Sequence, residues 1–181
     1  MKIVVISSLV VSFFFFNNVS KDLISANKSV PAHKIGERFG GGVIFYIDAT
    51  GEHGLIAATA DQKKSKWYNG SYIETTATGE AVGTGQANTT AIVAAQGPGD
   101  YAANVCDQLE LNGFSDWFLP SKAELSLLRT QKTKVGGFSN PFYWSSTEES
   151  SHYAWAQNFN NGRQDYGNKN STPSIRAIRA F

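Results

Sequence analysis

Cys106 is the single cysteine among 181 residues, so no disulfide can form within the chain and any fold it adopts must rest on packing. Its setting, Ala103-Asn104-Val105-Cys106-Asp107-Gln108-Leu109, reads as a helix with the thiol on the apolar face. A small buried hydrophobe is the expected role there, not a nucleophile. Apolar residues make up 41% of the chain and aromatics 13%, enough for a sizeable core, while only 17% are charged. That balance excludes a disordered chain and argues against a nucleic-acid partner. The net charge of +1 selects no partner.

The amino terminus sets the expected compartment. Met1-Lys2 precedes Ile3 to Phe16, a run without charge and with Ser7, Ser8 and Ser12 as its polar interruptions. This is the pattern of a secretory signal, too short to span a bilayer comfortably. We read residues 1–20 as that signal, with cleavage between 20 and 26, residues 21–34 as a linker, and 35–181 as one domain. The expected location is secreted or cell-surface. Small residues are poorly matched at the cleavage positions, so an uncleaved segment is the one membrane contact this reading allows. The absence of a cysteine after the run excludes a lipoprotein anchor.

From Ile35 the pattern is that of short strands and a few capped helices. Gly40-Gly41-Gly42 leads into Val43-Ile44-Phe45-Tyr46-Ile47, a buried strand that pairs with Gly54 to Ala58 as a hairpin. Asp61 to Gln86 has no sustained period and reads as a long irregular segment carrying Trp67 and Tyr68. Such segments often carry function. Three helices are expected: one capped by Asn88 and ended by Gly97-Pro98-Gly99, one capped by Asp100 and stopped by Asn112-Gly113, and one opened by the capping box Ser121-Lys122-Ala123-Glu124. Glu124 is thus a cap, not a catalytic acid. Phe142 to Ser146 and the alternating Tyr153 to Phe159 read as strands, and Asn161-Gly162 as the turn into a return strand at Gln164-Asp165-Tyr166.

Seven phrases resemble the Lcl C-terminal domain family: GGGVIFYID (40–48), HGLIAA (53–58), GTGQANT (83–89), DWFLPSKAEL (116–125), YWSSTE (143–148), AWAQNF (154–159) and IRAIRAF (175–181). The resemblance covers nearly everything from Ile35 onward. It implies an α+β fold of the C-type-lectin-like kind, with a mixed, mostly antiparallel sheet and two or three flanking helices. The family takes its name from a collagen-like adhesin whose carboxyl-terminal domain takes part in binding sulphated glycans. This chain has no collagen repeat, so trimerisation through such a stalk does not carry over. The closing segments WSSTE, AWAQNFNNGRQDYGNKN and IRAIRAF are also similar to the variable regions of diversity-generating-retroelement target proteins.

Trp117, Phe118, Leu119 and Trp144 stand in dense apolar context and are expected in the core. Arg176 and Arg179 are expected to pair with carboxylates or carbonyls. The stretch from His152 to Lys169 differs, because polar side chains there stand beside aromatics. Trp155, Asn158, Asn160, Asn161, Arg163, Gln164, Asp165, Tyr166, Asn168 and Lys169 form the expected ligand surface. Amides and guanidinium groups hydrogen-bond hydroxyls or sulphates, and an aromatic face stacks on a pyranose. Arg163, Lys169, Arg176 and Arg179 face one acid, Asp165, over residues 159–181, which would attract an anionic ligand. The expected partner is therefore an extracellular glycan, sulphated ones included, or a surface protein, with no nucleic acid.

No catalytic residue is expected. His33, His53 and His152 lack metal-ligand spacing, and the glycine-rich start precedes a strand, so it is no phosphate loop. No cofactor is expected, although a calcium site through Glu148, Asp165 and carbonyls is open by analogy with lectins. Two alternatives stand beside the binding module: a self-assembling surface protein without a small ligand, and an enzyme on a related fold. The oligomeric state is left open.

Overall fold

In a computed structural model of the chain, residues 33–181 are described; the expected signal, and the linker up to residue 32, lie outside them. Glycine opens the first sheet. Gly40 and Gly41 turn the chain with φ of 55° and 86°, folding the short strand β1 (Arg38–Phe39) back on β2 (Gly42–Ile47). A Cβ on Gly42 would sit 2.2 Å from the carbonyl oxygen of Ala57, so only glycine admits the neighbouring strand there. β3 (Gly54–Ala57) completes the expected hairpin, and β7 (Ile178–Ala180) pairs with β3, giving the order β1-β2-β3-β7, all antiparallel. The segment Ile178–Ala180 is thus docked in a sheet. The linker's final residues already belong to this body: the His33 ring packs 4.0 Å from Phe39 and 5.4 Å from Phe181, centroid to centroid.

Val43, Ile44 and Phe45 are buried in succession, because this sheet has core on both faces. Ile44 and Ile56 meet Trp67, Ile92, Tyr101, Trp117 and Trp144 on one side. Val43, Phe45 and Ile178 meet Phe118, Leu125, Leu128, Tyr143 and Phe159 on the other. The aromatics expected in the core are there.

Four helices flank the sheets, where two or three were expected: α1 (Gly85–Gln96), α2 (Ala102–Asp107), α3 (Lys122–Thr130) and the single turn α4 (Lys132–Val135). The capping box is present. The Glu124 amide donates to Ser121 Oγ, and the Ser121 amide donates to the Glu124 carboxylate at 2.7 Å. That carboxylate also accepts the Gly83 amide at 2.7 Å. Burial raises the Glu124 pKa, against the pull of these amides. The other two expected caps fail. Asn88 lies inside α1, where its amide both accepts from Gly79 N and donates to Gly79 O, pinning the preceding loop. Tyr101, not Asp100, occupies the N-cap of α2, and Asp100 pairs with Lys63 instead. Both residues spend their side chains on contacts distant in sequence, which local spacing does not reveal.

The second sheet is separate from the first, correcting the single mixed sheet expected. β4 (Phe142–Glu148), β5 (Tyr153–Asn158) and β6 (Gln164–Asn168) lie in the order β4-β5-β6, again antiparallel. The architecture remains α+β. Between Trp144 and Glu148 the β4 register slips, and the bulged Ser145, Ser146 and Thr147 are buried yet bonded. Ser145 Oγ donates to Trp155 O, Thr147 Oγ1 donates to Gly79 O, and the Ser146 amide donates to Pro120 O. The irregular stretch 61–84 wraps this bulge. Trp67 plugs the core, its indole N–H donating to Ser145 O at 2.8 Å, so this segment carries packing where function was expected.

Candidate functional site

Strand alternation decides which of the ten expected ligand residues can act together. Cross-strand partners share a face of a sheet. Phe142, Asn158 and Arg163 form one row across β4, β5 and the start of β6, and Trp144, Ala156 and Asp165 form the next. Trp155, Gln164 and Tyr166 point to the opposite face. The expected mixture of amides, charges and aromatics is therefore divided between two surfaces.

On the second of these faces Lys122 Nζ sits 3.4 Å above the Trp155 ring, while Gln164 Nε2 donates to Lys122 O at 2.8 Å. Tyr166 meets Trp155 and Tyr153 edge-on. Lys122 closes one side of the tryptophan, so Trp155 is no open stacking platform. Asn168 is committed as well: its Oδ1 accepts from Tyr72 Oη at 2.9 Å and from the Asn170 amide at 3.1 Å.

Lys169 is a correction. Its side chain is fully buried, with Nζ 2.5 Å from Glu148 Oε1, 3.1 Å from Ile73 O and 4.5 Å from the centre of the Trp67 ring. Burial lowers its pKa, with the Glu148 carboxylate pulling the other way. It holds the core together and cannot touch a ligand. The predicted cationic surface dissolves with it. Arg176 is buried on Asp61, with further bonds to Ala58 O, Gly136 O and Gly137 O. Arg179 grips Asp116 through two nitrogens at 2.6 and 2.7 Å. Arg163 pairs with Asp165 at 2.7 Å. Each of the four cations has its own carboxylate, so the excess counted along the sequence is no field in space. Glu148 and Asp165 are thereby committed to cations, and the described residues contain no group of three His, Cys, Asp or Glu able to hold a metal ion.

The turn at 159–163 explains the asparagines. Asn158 Oδ1 accepts from the Asn160 and Asn161 amides, and Asn161 Oδ1 accepts from the Arg163 amide. These are side-chain-to-backbone turns of the kind asparagine favours. Gly162 supplies the φ of 84°. Phe159 turns inward against Tyr143 and Phe138. Each turn consumes the amide oxygen, and the Nδ2 groups of Asn158 and Asn161 donate to no protein atom among the described residues. Asn160 is exposed at the tip.

What the first face forms is a groove of about 560 Å³. Its floor is Ala156, Gly167 and the edge of the Trp144 ring; a Cβ on Gly167 would come within 3.1 Å of that ring. One wall holds Asn158, Asn161, Arg163 and Asp165, with Tyr166 at the rim. The other holds Asn140, Phe142 and the Ser171-Thr172-Pro173 loop. Phe142 is 49% exposed, Tyr166 51%. The Arg163 and Asp165 side chains are 71% and 53% exposed, so their pairing is worth little in water and opens readily to a ligand. The second wall was missed in the sequence. It exists because Ser174 bonds the β4 backbone, with Trp144 N donating to Ser174 O at 3.1 Å and Ser174 N to Phe142 O at 2.9 Å, which draws 171–173 alongside. No local motif announces such a long-range bridge.

The family model of the Lcl C-terminal domain matches residues 57–179, which takes in both walls of the groove. No curated protein matches the chain. Among solved structures, a fimbrial protein from Bacteroides ovatus is similar at 16% identity with a TM-score of 0.48, over 69% of this chain and 35% of that one. The chain thus spans about a third of that protein's length.

Proposed function

Because the chain belongs to the Lcl C-terminal domain family, we propose that it is an exported, surface-type binding module, not an enzyme, and that the groove beside the β5–β6 hairpin takes an uncharged saccharide. One observation carries the reading. An exposed aromatic ring, Phe142, faces two free amide groups and a loosely held Arg163–Asp165 pair across an open groove. A pyranose offers an apolar face for the ring and hydroxyls that both donate and accept, which matches this wall. Sulphated glycans fit less well, since Asp165 stands in the groove and no cation there is unpaired. The export part of the proposal rests on the Met1–Phe16 pattern. The non-catalytic part rests on the tasks of the buried acids: Glu124 caps α3, Glu148 holds Lys169 and Asp61 holds Arg176. A self-assembling surface protein is the second reading, favoured by the exposed Tyr153 and Tyr166 on the opposite face.

Binding of neutral and sulphated glycans, measured across roughly 50 to 500 mM salt, tests the proposal. Neutral glycans are expected to bind with little salt dependence. Phe142→Ala is expected to weaken them about tenfold, equivalent to about 1.4 kcal/mol, while light scattering shows the protein unchanged in size. Binding confined to sulphated glycans and lost with salt would contradict it. Self-association at rising concentration with no glycan bound would favour the second reading.

A further inference from the structure

We propose that the groove recognises a chain of linked sugar rings lying across the strands, with one ring at Phe142 and another at Arg163–Asp165, so that a single monosaccharide cannot satisfy it. The inference rests on the saccharide reading above and adds the size and direction of the ligand.

The register supplies the geometry. Phe142 belongs to β4 and pairs with Asn158 of β5, whose amide donates to Arg163 O at the β6 side. The aromatic and the charged pair therefore lie on the outer strands of a three-stranded sheet. Neighbouring strands are about 4.8 Å apart, which places the two ends of the row about 10 Å apart. A six-membered ring with its hydroxyls covers roughly half of that, since its bonds are about 1.5 Å each. A ring stacked on Phe142 beside Pro173 leaves the Arg163–Asp165 end untouched; a second ring, linked to the first, reaches it.

The floor between the ends fits the same reading. Ala156 lies in the middle of the sheet and Gly167 on the outer strand, and neither raises a side chain that would divide the groove. Asn158 stands midway, its Nδ2 free to donate to the linkage or to a hydroxyl beside it. A volume near 560 Å³ falls within the range of sites that enclose multi-ring ligands. The chemistry of the two ends differs. The Phe142 end takes an apolar ring face, whereas the Arg163–Asp165 end takes a pair of neighbouring hydroxyls, one accepting from guanidinium and one donating to carboxylate.

A panel of immobilised neutral glycans of one to six rings tests this, with the free mono-, di- and trisaccharide of each bound type as competitors. The trisaccharide is expected to compete at least tenfold better than the monosaccharide. Phe142→Ala and Asp165→Ala are each expected to erase most of that advantage. Both positions are exposed, so the fold is expected to survive, which circular dichroism checks. A monosaccharide that competes as well as its trisaccharide overturns the inference and leaves the saccharide reading standing. If no glycan on the panel binds, the saccharide reading falls and the inference falls with it.

Discussion

Lys169→Met is expected to cost about 3–5 kcal/mol of folding stability, the usual penalty for removing one partner of a buried ion pair. Lys169 and Glu148 are both almost entirely shielded from solvent. Methionine fills much of the lysine's volume, so the loss is chiefly electrostatic: the Glu148 carboxylate keeps the Thr75 amide at 2.8 Å but loses its cation. Adding Glu148→Gln removes the stranded charge and retains an acceptor for Thr75 N. The double variant is therefore expected to recover most of the stability. Urea unfolding measures this through the transition midpoint at unchanged slope. A single variant within 1 kcal/mol of the wild type would show that the pair carries little.

Arg176→Leu is expected to be at least as damaging. Arg176 donates to Asp61 Oδ1 from Nε at 3.0 Å and from Nη2 at 2.6 Å, and it reaches three carbonyls, at Ala58, Gly136 and Gly137. Its guanidinium also lies 3.9 Å from the centre of the Phe138 ring. Leucine would strip the donor from the half-buried Asp61 carboxylate and from three carbonyls, of which Ala58 O is buried, and an acceptor left without a partner in the interior is costly. Tyr143 shares this network: its hydroxyl donates to Asp61 Oδ2 at 2.9 Å, and burial pushes its pKa up to about 12. A loss of about 3–5 kcal/mol corresponds to a fall in melting temperature of about 10 °C for a domain of this size. Lysine at this position is expected to rescue little, because an ammonium cannot reach carboxylate and carbonyls in one plane. A Lys variant as stable as the wild type would contradict the assignment.

These two residues mark what the sequence could and could not disclose. Short continuous apolar runs and glycine turns located the first hairpin, and the Ser121–Glu124 capping box is present as expected, because each depends on neighbours a few residues away. The pairing of Arg176 and Arg179 with acids also followed from their place in an apolar strand. Lys169 did not: in Gly167-Asn168-Lys169-Asn170 it looks like a solvated turn residue, and its burial follows from Trp67 and Glu148, each distant in sequence. Counting charge along residues 159–181 failed for the same reason, since Asp61, Asp116 and Glu148 all lie outside that window. Alternation along β5 and β6 is legible in the sequence, and it divides the polar residues between two faces. Trp155 and Asp165 are offset by one residue in register, so they could never have faced one ligand. Phe142 reads as strand in the sequence; the groove wall it shares with residues 171–173 depends on the Ser174 bridge, and that bridge is tertiary.

Amide chemical-shift mapping during titration with a bound neutral trisaccharide decides whether the ligand lies on the Phe142–Asn158–Arg163 face of the second sheet. The expected result is a set of shifts at Phe142, Asn158, Asn161, Arg163, Asp165 and Thr172, with Tyr153 and Lys122 unmoved. Shifts centred on Tyr153, Trp155 and Lys122, with the groove silent, would contradict it.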